Sequence, residues 1–149
     1  GENAFKYLVS ELVDNIYEHS KFTNAIVMAQ RYDKKKFVEV CFYDDGISIP
    51  RSFEDKGMLF KDHEAIVKAI NGLSTKSKER GYGLSSNIRI FTEGLLGEIF
   101  IASRNGAIYI AKNRQKVYKL SDKHTVEGTL VSIRIPYPSR EVDIYGFLN

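Results

Sequence analysis

Six short runs rich in β-branched and aromatic residues constrain the fold of this 149-residue chain more than any other feature. Two come early, AIVMAQRY (25–32) and FVEVCFY (37–43). Four come late, EIFIAS (98–103), AIYIAK (107–112), QKVYKL (115–120) and TLVSIRI (129–135). Elsewhere the period is helical. From Asn3 to about His19 the apolar residues Phe5, Leu8, Val9, Leu12, Val13 and Ile16 fall three or four apart, so one helix face is buried and Lys6, Ser10, Asp14 and Tyr17 take the other. A second helix is expected from about His63 to Ile70 with Asp62 as its N-cap, and a third from near Leu84 to around Gly94. Strands grouped around helices, rather than alternating with them one for one, predict an α+β fold. It is a two-layer α/β sandwich, a mixed, mostly antiparallel sheet with helices on one face.

The connections carry their own signals. Asp33 and a lysine triplet suit an exposed turn, so the first two strands should pair as a hairpin. Val38, Val40 and Phe42 share one side of the second strand, and Phe37, Glu39, Cys41 and Tyr43 the other, with both sides at least partly covered. DDGISIP (44–50) reads as a turn leading into a polar connection, and Asn105-Gly106 as a hairpin turn. GLSTKSKERGYG (72–83) has no periodicity and reads as a functional loop inside a compact domain.

A chain of this length with 43% hydrophobic and 28% charged residues fits one soluble globular domain, residues 1–149, and argues against disorder. Its early helical pattern and first residue Gly1 suggest a piece of a longer protein. A net charge of +3 from 22 basic and 19 acidic residues does not by itself point to nucleic acid. No segment approaches the roughly 18 apolar residues of a membrane span. The single cysteine, Cys41, forbids an internal disulfide and reads as a buried, inert thiol in a reducing, cytoplasmic setting.

Three strings carry chemistry. Glu11 and Asn15 lie one helical turn apart on one side of the first helix and can serve one ligand. A carboxylate can take a proton from water or a hydroxyl, and an amide oxygen is a hard, neutral ligand for Mg²⁺. Asp44-Asp45-Gly46 ends a strand, where an acidic side chain can accept from the exocyclic amine of adenine and Gly46 lets the base approach the backbone. Arg80-Gly81-Tyr82-Gly83-Leu84 is a glycine turn entering a helix, whose free amides and positive dipole end favour phosphate, with Lys76, Lys78 and Arg80 adding charge. Taken singly, each string also fits a bland role: a solvated helix face, a turn, a helix start.

In this order, and with Gly128-Thr129 late in a strand, the strings resemble the boxes of the GHKL superfamily of gyrase B, MutL, the heat-shock chaperone ATPases and the histidine kinases. The resemblance covers about Tyr7 to Pro136. It implies a Bergerat-type sandwich binding ATP or ADP with Mg²⁺. ELVDNIYEHS looks like the N box, implying Glu11 as general base and Asn15 as magnesium ligand. VCFYDDGISIP is similar to the G1 box, implying that Asp44 reads adenine beside Gly46 and Ile49. RGYGL looks like the G2 box, implying Gly81, Tyr82, Gly83 and Leu84 at the phosphates behind a lid that carries Lys76 and Arg80. Thr129 would support adenine through water. Ser48 departs from the pattern, standing where a second G1 glycine is expected, and the lid has no glycine between Ser74 and Arg80.

Histidine kinases of this kind usually carry asparagine where Glu11 stands, so the resemblance favours hydrolysis, or transfer of the γ-phosphate to a protein Ser/Thr as in the anti-sigma-factor kinases. His63, in DHEA, follows the N box and is expected only to start a helix. Three further readings stay open: a non-catalytic switch in which ATP creates a surface for a protein partner or fused domain, the catalytic domain of a histidine kinase-like sensor, and a dimerising clamp ATPase fused to effector regions.

Overall fold

The computed structural model describes Lys6, Tyr7, Ser10 and residues 23–70 and 88–138. Strands β1 (Ala25–Tyr32) and β2 (Phe37–Asp44) form the expected hairpin, paired from Ala25–Asp44 to Tyr32–Phe37. Two helices follow, α1 (Ile49–Glu54) and α2 (Asp62–Ile70). A helical segment ending in the π-turn Ile90–Gly94 precedes β3 (Glu98–Arg104), β4 (Gly106–Ala111), β5 (Arg114–Lys119) and β6 (Val126–Pro136). The six strands make one sheet in the order β1-β2-β6-β3-β4-β5, and all its ladders are antiparallel.

Register turns the strand alternation into a continuous apolar face. Phe42, Val131, Ile101 and Ile108 lie opposite one another across four strands, and Val40, Ile133, Ile99 and Ile110 form the next row. Ile66 and Ile70 of α2, with Ile90, Phe91 and Leu95 around the π-turn, close over these rows to make the core. Each aliphatic side chain removed from water in this way contributes about 1.5–3 kcal/mol, which is why the helices sit on this one face. The other face stays half open. Cys41 lies there half-buried beside Ser132 (Sγ to Oγ 3.4 Å), not in the core as its apolar neighbours suggested.

Of the first expected helix only Lys6, Tyr7 and Ser10 are described. Lys6 and Ser10 are exposed, as expected of its polar side, and Tyr7 packs on the core.

Three local expectations need correction. The stretch read as a turn and polar connection contains α1: Ser48 caps it, its Oγ accepting from Arg51 N at 3.1 Å, and Pro50 sits in the first turn, where its missing N–H costs nothing. Asp62 is not the N-cap of α2. Lys61 O takes the first helical bond from Ala65 N (2.9 Å), and the Asp62 carboxylate turns instead to Asn105 N (3.2 Å) and Arg104 (3.5 Å). The β3–β4 turn is centred one residue earlier than Asn105-Gly106. Ser103 pairs with Gly106, so Arg104 and Asn105 span the turn, with Arg104 at φ 51. Gly106 is needed in the strand because a Cβ there would lie 2.7 Å from the backbone of Asp62 and His63. Arg104 is held by a bidentate pair with Glu54 (2.7 and 3.0 Å).

That ion pair makes stability depend on pH. The Arg104 hydrogen bonds hold the Glu54 carboxyl below its ordinary range, and Glu54 in turn raises Arg104. The pair's contribution is therefore complete above the ordinary glutamate pKa and is lost as pH falls through the depressed folded value. Urea unfolding of wild type and Glu54→Gln should differ at neutral pH, and the difference should shrink toward zero in acid; a gap unchanged with pH would contradict it.

Candidate nucleotide site

The two adjacent aspartates at the end of β2 do different work. Asp44 continues the core-facing alternation of Val40 and Phe42 and is 1% exposed, its Oδ1 accepting from Gly46 N at 3.0 Å. Asp45 turns outward and gathers the chain entering β1, accepting from Thr23 N and Asn24 N at 2.8 Å each and from Asn24 Nδ2 at 3.1 Å. These bonds, that to the Asn24 backbone first, together lower its pKa against the opposing effect of desolvation. The outward aspartate thus joins the chain ahead of β1 to the loop that holds the inward one.

β6 approaches Asp44 from the other side. Gly128 has φ +77, and a Cβ there would overlap the Asp44 carbonyl oxygen. Thr129 is the cross-strand partner of Asp44, so its hydroxyl points to the same face. Ser103, at the end of β3 and fully buried, joins the pieces. Its Oγ donates to Gly128 O (2.7 Å), accepts from Ile49 N (3.0 Å) and lies 3.3 Å from Thr129 Oγ1. One hydroxyl therefore fixes the start of α1, the Gly128 turn and the threonine beside Asp44.

The structure brings together four of the residues singled out from sequence: Asp44, Gly46, Ile49 and Thr129. It adds Ser103, which nothing local in EIFIASRNG marks, because its partners are 25 and 54 residues away in the chain. Ser48 fits without strain where a second glycine was expected: its φ of −76 and ψ of 165 are ordinary extended values. Glu11, Asn15, Lys76, Arg80, Gly81, Tyr82, Gly83 and Leu84 lie outside the described residues. Among the described residues no helix is long and apolar enough to cross a membrane.

A buried carboxylate at a strand end accepts from an exocyclic amine, a hydroxyl pair beside it can hold a water on the ring edge, and Gly46 leaves room for a flat ring against the backbone. Ser103→Ala should leave the Ile49 amide and the Gly128 carbonyl unsatisfied, costing about 1–3 kcal/mol of stability. Thermal unfolding reads the loss.

A family model described as "Histidine kinase-, DNA gyrase B-, and HSP90-like ATPase" matches residues 1–139. Comparison with curated proteins gives no match.

Proposed function

The chain belongs to the histidine kinase-, DNA gyrase B- and HSP90-like ATPase family, and from that premise we propose that it binds Mg-ATP and either hydrolyses it or passes the γ-phosphate to a protein Ser/Thr, within a regulatory or signalling protein of the cytoplasm. ATP binding belongs to the family. One observation carries the reading: the buried Asp44 carboxylate, Gly46, and the Ser103–Thr129 hydroxyl pair converge at one end of the sheet.

Asp44 then reads the adenine amine, Thr129 supports the ring, and Ile49 covers it. Glu11 acts as general base toward the attacking hydroxyl or water. Gly81, Tyr82, Gly83 and Leu84 offer backbone amides to the phosphates, and Lys76 and Arg80 add charge from the lid. Asn15 is the residue suited to hold Mg²⁺, which when bound neutralises phosphate charge. A protein partner or fused domain supplies the acceptor or reads the closed lid.

The decisive experiment titrates ATP into the wild type and Glu11→Ala while following phosphate release and protein phosphorylation. Turnover should fall by about a hundredfold or more in Glu11→Ala with affinity kept. Tight binding without turnover in either protein would remove the enzymatic reading and favour the switch. Absence of ATP binding would remove both.

A further inference from the structure

Two consecutive residues of β3 hold both ends of α1. Ser103 takes the start of the helix, its Oγ accepting from Ile49 N at 3.0 Å, and Arg104 takes the end, its guanidinium donating to both carboxylate oxygens of Glu54 at 2.7 and 3.0 Å. Neighbouring residues of a regular strand point to opposite faces, so this arrangement requires a local break in the strand. Ile99, Ile101 and Ser103 follow the helix-bearing face. Arg104 would then follow the open one, but the pairing of β3 with β6 shifts register between Ala102 and Arg104, and Arg104 takes a left-handed φ of 51. Glycine adopts that conformation without steric cost and arginine does not. Such irregularities re-aim a side chain. What this one gains is a guanidinium on α1, with Asp62 at the start of α2 only 3.5 Å away.

We propose, resting on the adenine reading above, that Arg104 is a positioning residue for the nucleotide: with Ser103 it clamps α1 so that Ile49 keeps a fixed place relative to Thr129 and Asp44. The attachment at Ser103, which also lies 3.3 Å from Thr129 Oγ1, fixes where α1 begins but not where it points. Pro50 and Phe53 are buried and keep the helix on the core, and the Glu54–Arg104 pair adds the second fixed point. That pair is bidentate, and its side chains are 31% and 33% exposed, so water screens it only in part. Without it α1 samples other directions, and apparent ATP affinity falls with the fraction of molecules that keep the competent one.

Calorimetry with ATP and hydrogen exchange at the α1 amides test the clamp together. Arg104→Gly removes the guanidinium while relieving the left-handed backbone, so Tm should stay near that of wild type and a loss of affinity is not a loss of fold. ATP affinity should fall about fivefold, and the α1 amides should exchange faster while those of β2 and β6 keep their protection. Glu54→Ala should lose as much, and the double variant no more than either, because the two residues act through one contact. Arg104→Lys, which keeps a charge facing Glu54, should fall between Arg104→Gly and wild type. Wild-type affinity or wild-type exchange in Arg104→Gly, additive losses in the double variant, or Arg104→Lys as weak as Arg104→Gly would each overturn the clamp and leave the nucleotide reading intact. A wild type that binds no ATP would overturn the nucleotide reading and the positioning role with it, whatever the exchange shows.

Discussion

Asp44→Asn should lower ATP affinity by about a hundredfold and leave the domain folded. The asparagine carbonyl can replace Oδ1 as acceptor for Gly46 N, so the turn after β2 keeps its hydrogen bond. The amide NH₂ then takes the place of the second carboxylate oxygen and opposes the adenine amine, donor against donor, in a position that is almost wholly buried. Exchanging a charge-assisted acceptor for a donor that opposes the adenine amine costs roughly 3 kcal/mol, about two powers of ten in dissociation constant. Calorimetry with ATP measures the affinity and thermal unfolding monitors the fold. Affinity equal to wild type in a folded Asp44→Asn protein would refute the assignment of adenine to Asp44.

Gly128→Ala should be far more damaging than Gly57→Ala, although both glycines have nearly the same backbone angle, φ +77 and +78. At Gly57 nothing lies within 4 Å of the added Cβ, so only the left-handed backbone opposes the methyl, at about 1 kcal/mol. At Gly128 the methyl also falls on the Asp44 carbonyl oxygen and 2.8 Å from its carbon, both backbone atoms of a strand paired on both sides that cannot swing aside like a side chain. The strands must separate, for a total cost of roughly 3–4 kcal/mol, or about 10 °C in Tm. Because the displaced atoms belong to Asp44, ATP binding should fall with stability. Equal melting temperatures for the two variants would contradict the packing argument.

Much of the fold was legible in the sequence because burial on one face imposes a period that a chain displays locally. The six strands and α2 were found to within a few residues, since Val40-Phe42, Ile99-Ile101, Ile108-Ile110 and Val131-Ile133-Ile135 each alternate as a half-buried strand must. The short helix α1 was hidden because six residues hold too few apolar positions to show a period, and its start, Ser48 followed by Pro50, reads equally well as a turn. The β3–β4 turn was misplaced because Asn-Gly is a strong turn signal, yet contact with α2 claims Gly106 and ion pairing fixes Arg104 in the left-handed region.

What the sequence determined by itself was the chemistry available: the α+β pattern, a carboxylate and glycine at a strand end, and a Gly-Thr pair late in the chain. Each follows from side-chain type and local spacing. Only the tertiary structure decided which aspartate faces inward, that Asp44 stands across from Thr129, and that Ser103 ties both to α1. Those are matters of register between strands far apart in the chain, and a shift of one residue would have sent every one of these side chains to the opposite face.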